Sequence, residues 1–374
     1  MVKENNTFQD FDLCSKTFQN IDKMGYKNPT KIQEEVIPYI TESKRDIVAT
    51  APTGTGKTGA FGIPIIDKTQ ENNKTPKTII LTPTRELAVQ VTKELKNFSK
   101  HKNLRILSVY GGTPINSQIR ELKSGVDIVV GTPGRVVDLI KRNILNLRQI
   151  ENFILDEADE MLNMGFIEDI EFILKSSPQN RRTYLFSATM PKRIRNLSKK
   201  YMKNPVEVEN KFDNPHKNNL IEQTYHRVKR SEKEDRIIDI ITSNNFFYGI
   251  VFCKTKVEVD ELTKYLRKNK LKANSIHGDI SQNKRELILK DFKKLKTNIL
   301  VATDVAARGI DINNLTHIIN HSLPQSNETY VHRVGRTGRA GNKGKAVSLV
   351  TTNEAKKLSD IENLIGSKIK REEI

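Results

Sequence analysis

The chain has 374 residues, enough for two domains of ordinary size. Its 63 Lys and Arg residues outnumber 45 Asp and Glu residues, so the formal net charge is +18. That excess favours a polyanionic partner such as nucleic acid, the alternative being a lysine-rich surface that only keeps the protein soluble. No apolar run reaches the roughly 18 residues of a membrane span, and Cys14 and Cys253 fit no metal spacing. These features predict a soluble cytoplasmic protein and argue against membrane-spanning and disulfide-rich classes.

Short β-rich runs alternate with helical stretches in both halves of the chain. Segments 85–99 and 284–294 are typical of the helices between them. Strands separated by helices indicate βαβ units and parallel sheets, so we predict an α/β fold. The predicted strands are 46–50, 78–82, 106–110, 126–130, 153–155, 183–187, 249–253, 273–276, 298–303, 316–320 and 346–350.

A polar stretch at 209–219 contains a proline and little apolar surface, which indicates a flexible linker. It divides the chain into an N-terminal segment, 1–35, a first α/β domain, 36–208, and a second, 220–374. Two such domains joined flexibly favour a ligand site in the cleft between them.

A phosphate-binding loop follows the first predicted strand and precedes a helix, which is the context that this motif requires. Gly54 and Gly56 let backbone amides turn towards phosphate oxygens. Lys57 can reach the β- and γ-phosphates, and the Thr58 hydroxyl can ligate Mg²⁺. A ligand-free turn is the alternative. The loop reads Ala51-Pro52-Thr53-Gly54-Thr55-Gly56-Lys57-Thr58.

The acidic run Asp156-Glu157-Ala158-Asp159 follows the apolar residues 153–155. Its acids therefore project from the carboxyl end of a parallel strand, where open α/β sheets bind ligands. Asp156 suits the role of a Mg²⁺ anchor, and Glu157 can orient the attacking water. An isolated acid pair would more often be a helix cap or a solvated turn. Together with the phosphate loop, the run predicts an ATPase.

Further motifs follow in a fixed order along the chain. With them, the chain resembles the DEAD-box RNA helicases, a branch of helicase superfamily 2 with two RecA-like domains. The match extends over nearly the whole chain. The motifs are Gly25-Tyr26-Lys27-Asn28-Pro29-Thr30-Lys31-Ile32-Gln33, Pro83-Thr84-Arg85-Glu86-Leu87-Ala88, Gly111-Gly112, Thr132-Pro133-Gly134-Arg135, Ser187-Ala188-Thr189, Gln282-Asn283-Lys284-Arg285, Thr303-Asp304, Ala307-Arg308-Gly309-Ile310-Asp311 and His332-Arg333-Val334-Gly335-Arg336-Thr337-Gly338-Arg339.

The resemblance implies a nucleotide site that recognises adenine through Gln33, with Phe8 stacking on the base. A Gln amide offers one donor and one acceptor, which match N6 and N7 of adenine but not guanine. This predicts ATP over GTP. Further nucleotide contacts are implied at Gly309 and Asp311 of the second domain.

By the same resemblance, Arg336 and Arg339 are arginine fingers that act with Lys57 and Glu157 in catalysis. Guanidinium groups suit the charge on a transferring γ-phosphate. The site would then be complete only when the domains close. The alternative is a basic loop with a salt-bridged face.

The RNA motifs are small and polar and contain no aromatic residues, which predicts contacts to phosphate and 2′-hydroxyl groups of a single strand or short duplex. The resemblance also links Asp159, Ser187, Thr189 and His332 across the cleft, coupling hydrolysis to duplex opening. For the Ser and Thr, a turn after a strand is the alternative. The implied RNA-binding residues are Pro83, Thr84, Arg85, Gly112, Thr132, Gly134, Arg135, Arg285 and Thr303.

We therefore predict an ATP-dependent RNA helicase that opens short duplexes or remodels RNA–protein complexes, with ATP and Mg²⁺ as cofactors. An ATP-gated RNA clamp and a superfamily 2 DNA translocase remain alternatives. The intact Lys57, Glu157, Arg336 and Arg339 argue against a clamp without turnover. No protein partner is indicated.

Overall fold

The computed structural model describes residues 7–43, 45–52, 54–209, 220–307, 312, 315–338 and 342–372. The chain divides into two compact units between Asn210 and Lys211, and each is an α/β unit built on its own sheet. Among the described helices, none combines the length and apolar character needed to cross a bilayer.

The first unit contains a seven-stranded sheet in which every neighbouring pair of strands is parallel. The strand order is β3-β4-β2-β5-β6-β1-β7. The strands are β1 (Ile47–Thr50), β2 (Thr78–Leu81), β3 (Ile106–Val109), β4 (Ile128–Gly131), β5 (Asn152–Leu155), β6 (Arg182–Ser187) and β7 (Val206–Glu209). The helices are α1 (Ser15–Lys23), α2 (Lys31–Glu42), α3 (Lys57–Lys68), α4 (Arg85–Phe98), α5 (Ile115–Lys123), α6 (Pro133–Lys141), α7 (Ala158–Asn163), α8 (Ile167–Lys175) and α9 (Lys192–Tyr201).

Alternating side chains of β1 cover both faces of this sheet, as the twofold period of a strand requires. Ile47 and Ala49 belong to one apolar cluster and Val48 to the other. On the first face, the rings of Phe61 in α3 and Phe186 in β6 lie 5.1 Å apart. Each such fully buried ring stabilises the fold by about 1.5–3 kcal/mol. This packing holds α3 against β1 and β6, and so fixes the loop that joins β1 to α3.

The N-terminal segment packs onto the first unit. Asn20 of α1 donates to the carbonyls of Asn97 and Phe98, both at 2.9 Å, and the Cys14 amide donates to Asp67 at 3.0 Å. These contacts anchor α1 to the ends of α3 and α4.

The second unit also contains a seven-stranded parallel sheet, with the order β10-β11-β9-β12-β13-β8-β14. Its strands are β8 (Ile221–Arg227), β9 (Gly249–Cys253), β10 (Ala273–Ile276), β11 (Ile299–Thr303), β12 (His317–Asn320), β13 (Gly344–Val350) and β14 (Lys370–Arg371). Its helices are α10 (Lys233–Thr242), α11 (Lys256–Lys268), α12 (Gln282–Lys293), α13 (Asp304–Ala307), α14 (Asn327–Val334) and α15 (Ala355–Ile365).

The prediction of two parallel-sheet α/β units is confirmed, and every predicted strand is present with ends shifted by at most two residues. Sequence reasoning missed β7, β8 and β14. These lie at or next to a sheet edge and carry charged residues, so they lack the continuous apolar run of a central strand. Glu209, predicted to begin the linker, is the last residue of β7. The other linker residues lie outside the described part of the chain.

Candidate active site

The strand order of the first sheet brings the sequence motifs to one edge. All strands are parallel, so their carboxyl ends lie on the same side, and β6 lies between β1 and β5. With strands about 4.8 Å apart, the loop after β1 and the acids after β5 are separated by about 10 Å. Ser187, the last residue of β6, ends between them. This edge therefore places the phosphate loop, Ser187 and the acidic run side by side.

The phosphate loop has the backbone shape that its glycines predict. Gly54 and Gly56 have φ angles of 81° and 94°, in the left-handed region that favours glycine. At Gly56 a Cβ atom would come within 2.6 Å of Gln33 Nε2, so the position also lacks room for a side chain. The Thr55 hydroxyl donates to the Pro52 carbonyl at 2.8 Å and closes the turn. Thr53 lies outside the described residues.

Lys57 is the first residue of α3 and is only 7% exposed. Its ammonium donates to the Ala51 carbonyl at 3.0 Å, so it lies folded over the loop. An ammonium has three donors, and helix N-termini attract anions through their free amides. Thr58 follows on the same helical turn and is half-buried. The loop therefore combines a buried cation, a hydroxyl and a helix N-terminus, which together suit a polyphosphate.

Asp156 and Glu157 differ in their environments. Asp156 is 3% exposed, and burial raises its pKa to about 7, with the Lys57 charge opposing the shift and Glu157 adding to it. A buried carboxylate of this kind is stabilised by a nearby cation. Oxygen donors from one carboxylate and a hydroxyl, completed by phosphate and water, are what Mg²⁺ prefers, so Asp156 and Thr58 fit that ion.

Glu157 adopts φ 52° and ψ 51°, a left-handed conformation that is unfavourable for a residue with a Cβ atom. Such strain costs on the order of 1–3 kcal/mol and tends to occur at functional sites. It turns the half-buried Glu157 side chain away from the path of β5 at the start of α7.

Asp159 joins the acidic run to the residues after β6. Its carboxylate accepts hydrogen bonds from the Thr189 amide at 2.9 Å and the Thr189 hydroxyl at 2.8 Å. Ser187 Oγ accepts from the Asp159 amide at 3.3 Å and donates to the Thr189 carbonyl at 2.7 Å. Asp159 and Ser187 are almost fully buried. Three of the four predicted coupling residues are thus one hydrogen-bonded cluster in the first unit. His332 belongs to the second unit, and its predicted link stays a prediction.

Gln33 ties the N-terminal segment to the phosphate loop. Its Oε1 accepts from the Thr30 amide at 2.9 Å, completing the cap of α2, and its Nε2 donates to the Gly56 carbonyl at 3.1 Å. The side chain is 2% exposed. Sequence reasoning had assigned this amide to adenine alone and did not predict the bond to Gly56.

Phe8 has no exposed face in this structure. Its ring is 0% exposed and packs edge-on against Phe11 at 5.7 Å and Tyr26 at 6.0 Å. The predicted stacking on a base is therefore not available to Phe8 in this arrangement, because the aromatic cluster already covers it.

The RNA motifs of the first unit are joined by side chains that the sequence motifs do not contain. Arg85, which follows the helix cap Thr84, lies with its guanidinium 4.5 Å from the Tyr110 ring centroid. Gln118 donates to the Tyr110 carbonyl at 3.2 Å and accepts from Arg135 at 3.0 Å. Tyr110 and Gln118 were missed because neither fits a motif. Only their positions could have indicated them: Tyr110 directly precedes Gly111, and Gln118 lies in α5.

Small residues leave backbone exposed beside these side chains. Gly112 has φ 77°, and Gly134 is exposed in the first turn of α6. Thr132 precedes that helix at its N-cap position and is half-buried, whereas Pro83 is buried before α4. The carboxyl edge around β2, β3 and β4 thus presents amides, hydroxyls and two arginines, groups that bind phosphate and ribose.

In the second unit, Arg333 uses four of its five N–H donors in hydrogen bonds within the protein. It donates twice to the Asp304 carboxylate, at 2.5 and 2.8 Å, and also to Asn320 Oδ1 at 2.8 Å and the Ser322 carbonyl at 2.7 Å. It is 2% exposed. Arg333 therefore fixes the residues after β11 to those after β12.

The other predicted residues of the second unit lie near this cluster. Thr303, half-buried, ends β11, and the buried Arg285 donates to the Ala306 carbonyl in α13. His332 is 8% exposed in α14, and Arg336, half-buried, follows it. Gly309, Asp311 and Arg339 lie outside the described residues.

Comparisons with known proteins agree with this geometry. A DEAD/DEAH box helicase model matches residues 30–197, and a model of the helicase conserved C-terminal domain matches residues 232–341. The chain is 48% identical over 371 residues to a probable ATP-dependent RNA helicase of Methanocaldococcus jannaschii, covering 99% of both chains. It is 46% identical over 365 residues to the DEAD-box ATP-dependent RNA helicase CshA of Bacillus cereus, covering 98% of this chain and 69% of that one.

Among solved structures, S. cerevisiae Dbp5 bound to RNA and ADP BeF3 is similar to this chain. The TM-score is 0.89 and the identity 30%, with 98% of this chain and 96% of that chain covered.

Proposed function

The chain belongs to the DEAD-box family of ATP-dependent RNA helicases, and from that premise we propose that it binds RNA through the backbone and locally opens short duplexes or remodels RNA–protein complexes. ATP hydrolysis drives each cycle. The observation that carries the proposal is the shared carboxyl edge of the first sheet, where the phosphate loop, the Asp156–Glu157 pair and the Ser187 cluster meet.

ATP binds with its phosphates in the loop after β1. The Lys57 ammonium, which already donates to the Ala51 carbonyl, keeps two donors for the β- and γ-phosphates. Asp156 and the Thr58 hydroxyl would hold Mg²⁺, partly through water, and the ion would neutralise charge on the phosphate oxygens. The raised pKa of Asp156 supports this role because a buried carboxylate gains most from a cation.

Glu157 orients the water that attacks the γ-phosphate. Its strained φ of 52° is consistent with a side chain held in position for function. Arg336 and Arg339 supply the positive charge that stabilises the transferring phosphoryl group. Because they belong to the second unit, hydrolysis depends on closure of the two units around ATP. Gly309 and Asp311 add nucleotide contacts.

Gln33 recognises adenine while it stays bonded to the phosphate loop. Its amide has one more hydrogen and one more lone pair than the bonds to Gly56 and Thr30 use. Those remaining sites fit N6 and N7 of adenine. Phe8 has a supporting role instead of stacking, since its buried ring packs against Tyr26 of the same motif.

RNA lies along the carboxyl edges, held by backbone contacts. In the first unit the Arg85–Tyr110 stack and the Arg135–Gln118 bond fix two guanidiniums beside the exposed Gly112 and Gly134. In the second unit Thr303 contacts RNA, while the buried Arg285 positions α13. Such contacts are independent of base sequence.

The hydrogen bonds of the Asp159–Ser187–Thr189 cluster change when ATP is hydrolysed to ADP. The cluster lies between the phosphate loop and the acids, so a change at the γ-phosphate alters its hydrogen bonds directly. His332 completes the cluster when the units close. We place the protein in the cytoplasm, which the free thiols of Cys14 and Cys253 support.

The test is ATP turnover measured with no nucleic acid, with single-stranded RNA and with DNA of the same sequence and length. RNA is expected to stimulate turnover, and strand displacement from a short RNA duplex should require ATP. Equal stimulation by DNA would favour a DNA translocase. ATP-dependent RNA retention without turnover would favour a clamp.

A further inference from the structure

The amino edge of the second sheet carries a dense group of exposed lysines. They lie at the ends of α11 and α12 and in the turns that follow these helices, before β10 and β11. We refer to them as the basic edge, which consists of Lys268, Lys270, Lys272, Lys290, Lys294 and Lys296.

The two turns are neighbours in space. Strands β10 and β11 are paired, with Ala273 opposite Ile299. The Lys272 carbonyl accepts hydrogen bonds from the amides of Asn298 at 3.3 Å and Ile299 at 3.2 Å. Lysines that are more than twenty residues apart in sequence therefore form one surface.

Little negative charge balances this surface. Lys296 pairs with Asp291 at 3.2 Å, in an exposed bridge of small energetic weight. Within the described residues, Lys268, Lys270, Lys272, Lys290 and Lys294 have no ion pair. An unneutralised group of ammonium ions concentrates positive potential and attracts a polyanion.

At the corresponding edge of the first sheet, two of the basic residues are paired with acids. There Arg105 pairs with the buried Asp127 at 3.3 Å, and Lys77 pairs with Glu151 at 3.1 Å. The six lysines of the basic edge, among which only Lys296 has an ion pair within the described residues, are therefore less neutralised than these two cations of the first edge.

The basic edge lies at the opposite end of β11 from Thr303, the residue proposed to contact RNA in this unit. Strand β11 runs from Ile299, beside the lysines, to Thr303 at the carboxyl edge. The four steps from Ile299 to Thr303, at about 3.3 Å each, put these two ends about 13 Å apart. A nucleic acid long enough to leave the carboxyl edge can cover this distance, whereas a minimal strand cannot contact both.

The composition of the surface favours RNA over a protein or a membrane. A protein-docking surface has an apolar centre depleted of lysine, whereas nucleic-acid interfaces are polar and strongly positive. The apolar residues here are isolated, with Leu295 53% exposed among the lysines and Phe246 58% exposed before β9.

We propose that the basic edge is an auxiliary RNA-binding surface that contacts the phosphate backbone of RNA extending beyond the strand held at the carboxyl edges. This inference rests on RNA being the substrate of the proposed function, but it is independent of how ATP is hydrolysed. The basic edge tethers long RNA and leaves the hydrolytic step unchanged.

The experiment compares two RNAs and three variants of the full chain. The short RNA is the shortest oligonucleotide that fully stimulates ATP turnover, and the long RNA extends it at both ends with unstructured sequence. The test variant is K268Q/K270Q/K272Q/K294Q, and its charge-preserving partner replaces the same lysines with arginine. The control, K96Q/K100Q/K123Q/K175Q, removes equal charge from exposed sites of the first unit. Dissociation constants are measured across a range of salt concentrations.

The test variant is expected to lose at least about 10-fold in affinity for long RNA, and its salt slope should fall by up to about 3, or roughly 0.7 for each lost phosphate contact. Its affinity for short RNA and its maximal turnover should match those of the wild type. The arginine variant and the control should retain long-RNA affinity.

Unchanged long-RNA binding by the test variant would overturn the inference and favour an acidic protein partner. Equal losses in the control or the arginine variant would also overturn it. A chain without any RNA-stimulated turnover would instead refute the proposed function.

Discussion

The buried charged side chains at the carboxyl edges of the two sheets differ in the partners that they contact. At the first edge, Lys57 donates to a backbone carbonyl, and Asp156 is buried with a pKa raised to about 7. No ion pair joins these two within the described residues. At the second edge, Arg333 is equally buried but bonded to Asp304, Asn320 and a carbonyl.

This difference indicates which charged residues are available to bind a ligand and which stabilise the fold. Charges at the first edge are only partly compensated by the fold, so they gain further stabilisation when a polyphosphate and a cation bind. The charges at the second edge are already paired and hold two strand ends together. Substitution of Lys57 at the first edge should therefore change binding and rate, whereas substitution of the paired Arg333 at the second should change stability.

The largest effect is expected for Lys57→Ala. Removing the cation from the phosphate loop should lower ATP turnover by about 10³-fold and weaken nucleotide binding. Thermal stability should change much less than turnover, because the ammonium makes one hydrogen bond, to the Ala51 carbonyl, and no ion pair within the described residues. Lys68→Ala, at the exposed end of the same helix, is the matched control and should keep wild-type turnover. Steady-state kinetics and a thermal melt distinguish these outcomes, and a Lys57→Ala protein with normal turnover would disprove the loop assignment.

Glu157→Gln should reduce turnover by about 10²–10⁴-fold, since an amide cannot accept the proton of the attacking water. ATP and RNA binding should remain, so the variant should hold RNA in a closed complex. RNA release under saturating ATP measures this directly. Release as fast as from wild type would remove Glu157 from its proposed role. The exposed Glu168→Gln in α8 serves as control.

Arg333→Ala should show the opposite behaviour to Lys57→Ala, with loss of stability as its primary effect. Breaking a buried pair leaves Asp304 without its partner and costs about 3 kcal/mol. Arg333→Lys should restore little of the lost stability, because one ammonium cannot make the paired hydrogen bonds of a guanidinium. Denaturant unfolding of the full chain provides the measurement. A stability equal to that of wild type would contradict the contrast between the two edges.

The smallest expected effect is a pH dependence of folding stability that arises from His317 in the second unit. Burial lowers the pKa of His317 to about 4, and its ring stacks on Phe247 at 4.8 Å. His317 has the higher pKa in the unfolded chain. The free energy of unfolding is therefore largest above about pH 6.5 and decreases as the pH falls towards 4. Between pH 7 and 5 the loss should be up to about 2 kcal/mol.

The matched variant for this effect is His317→Phe, which keeps an aromatic ring but cannot titrate. Its free energy of unfolding should depend less on pH over the same interval. If both proteins lose the same stability on acidification, other groups account for it and His317 does not.

Much of the first edge could be predicted from local sequence. Gly54 and Gly56 signal a left-handed loop wherever they occur between a strand and a helix, and the structure has those angles. The apolar run before Asp156 predicts a buried strand that ends at the acids, as β5 does. The strand alternation likewise predicted two parallel sheets, because adjacent parallel strands need helical crossovers.

Other features depend on contacts between distant residues. The Gln33–Gly56 bond, the Arg85–Tyr110 stack and the burial of Phe8 join segments that no motif connects. Strand β8 contains only two apolar residues, Ile221 and Tyr225, and follows a polar stretch, so its pattern was too weak to predict a strand. Pairing with β13 over seven residues makes it a strand.

By itself the sequence determined which residues can cradle phosphate, which acids end a strand and where the α/β units lie. Those properties follow from the backbone freedom of glycine, the twofold period of strands and the charge of side chains. Only the tertiary structure decided that β6 separates β1 from β5, that Arg333 is paired whereas Lys57 is not, and that the lysines before β10 and β11 form one surface. The physical reason is that burial, pKa and charge pairing depend on neighbours brought together by strand order, and strand order is set by packing of the whole sheet.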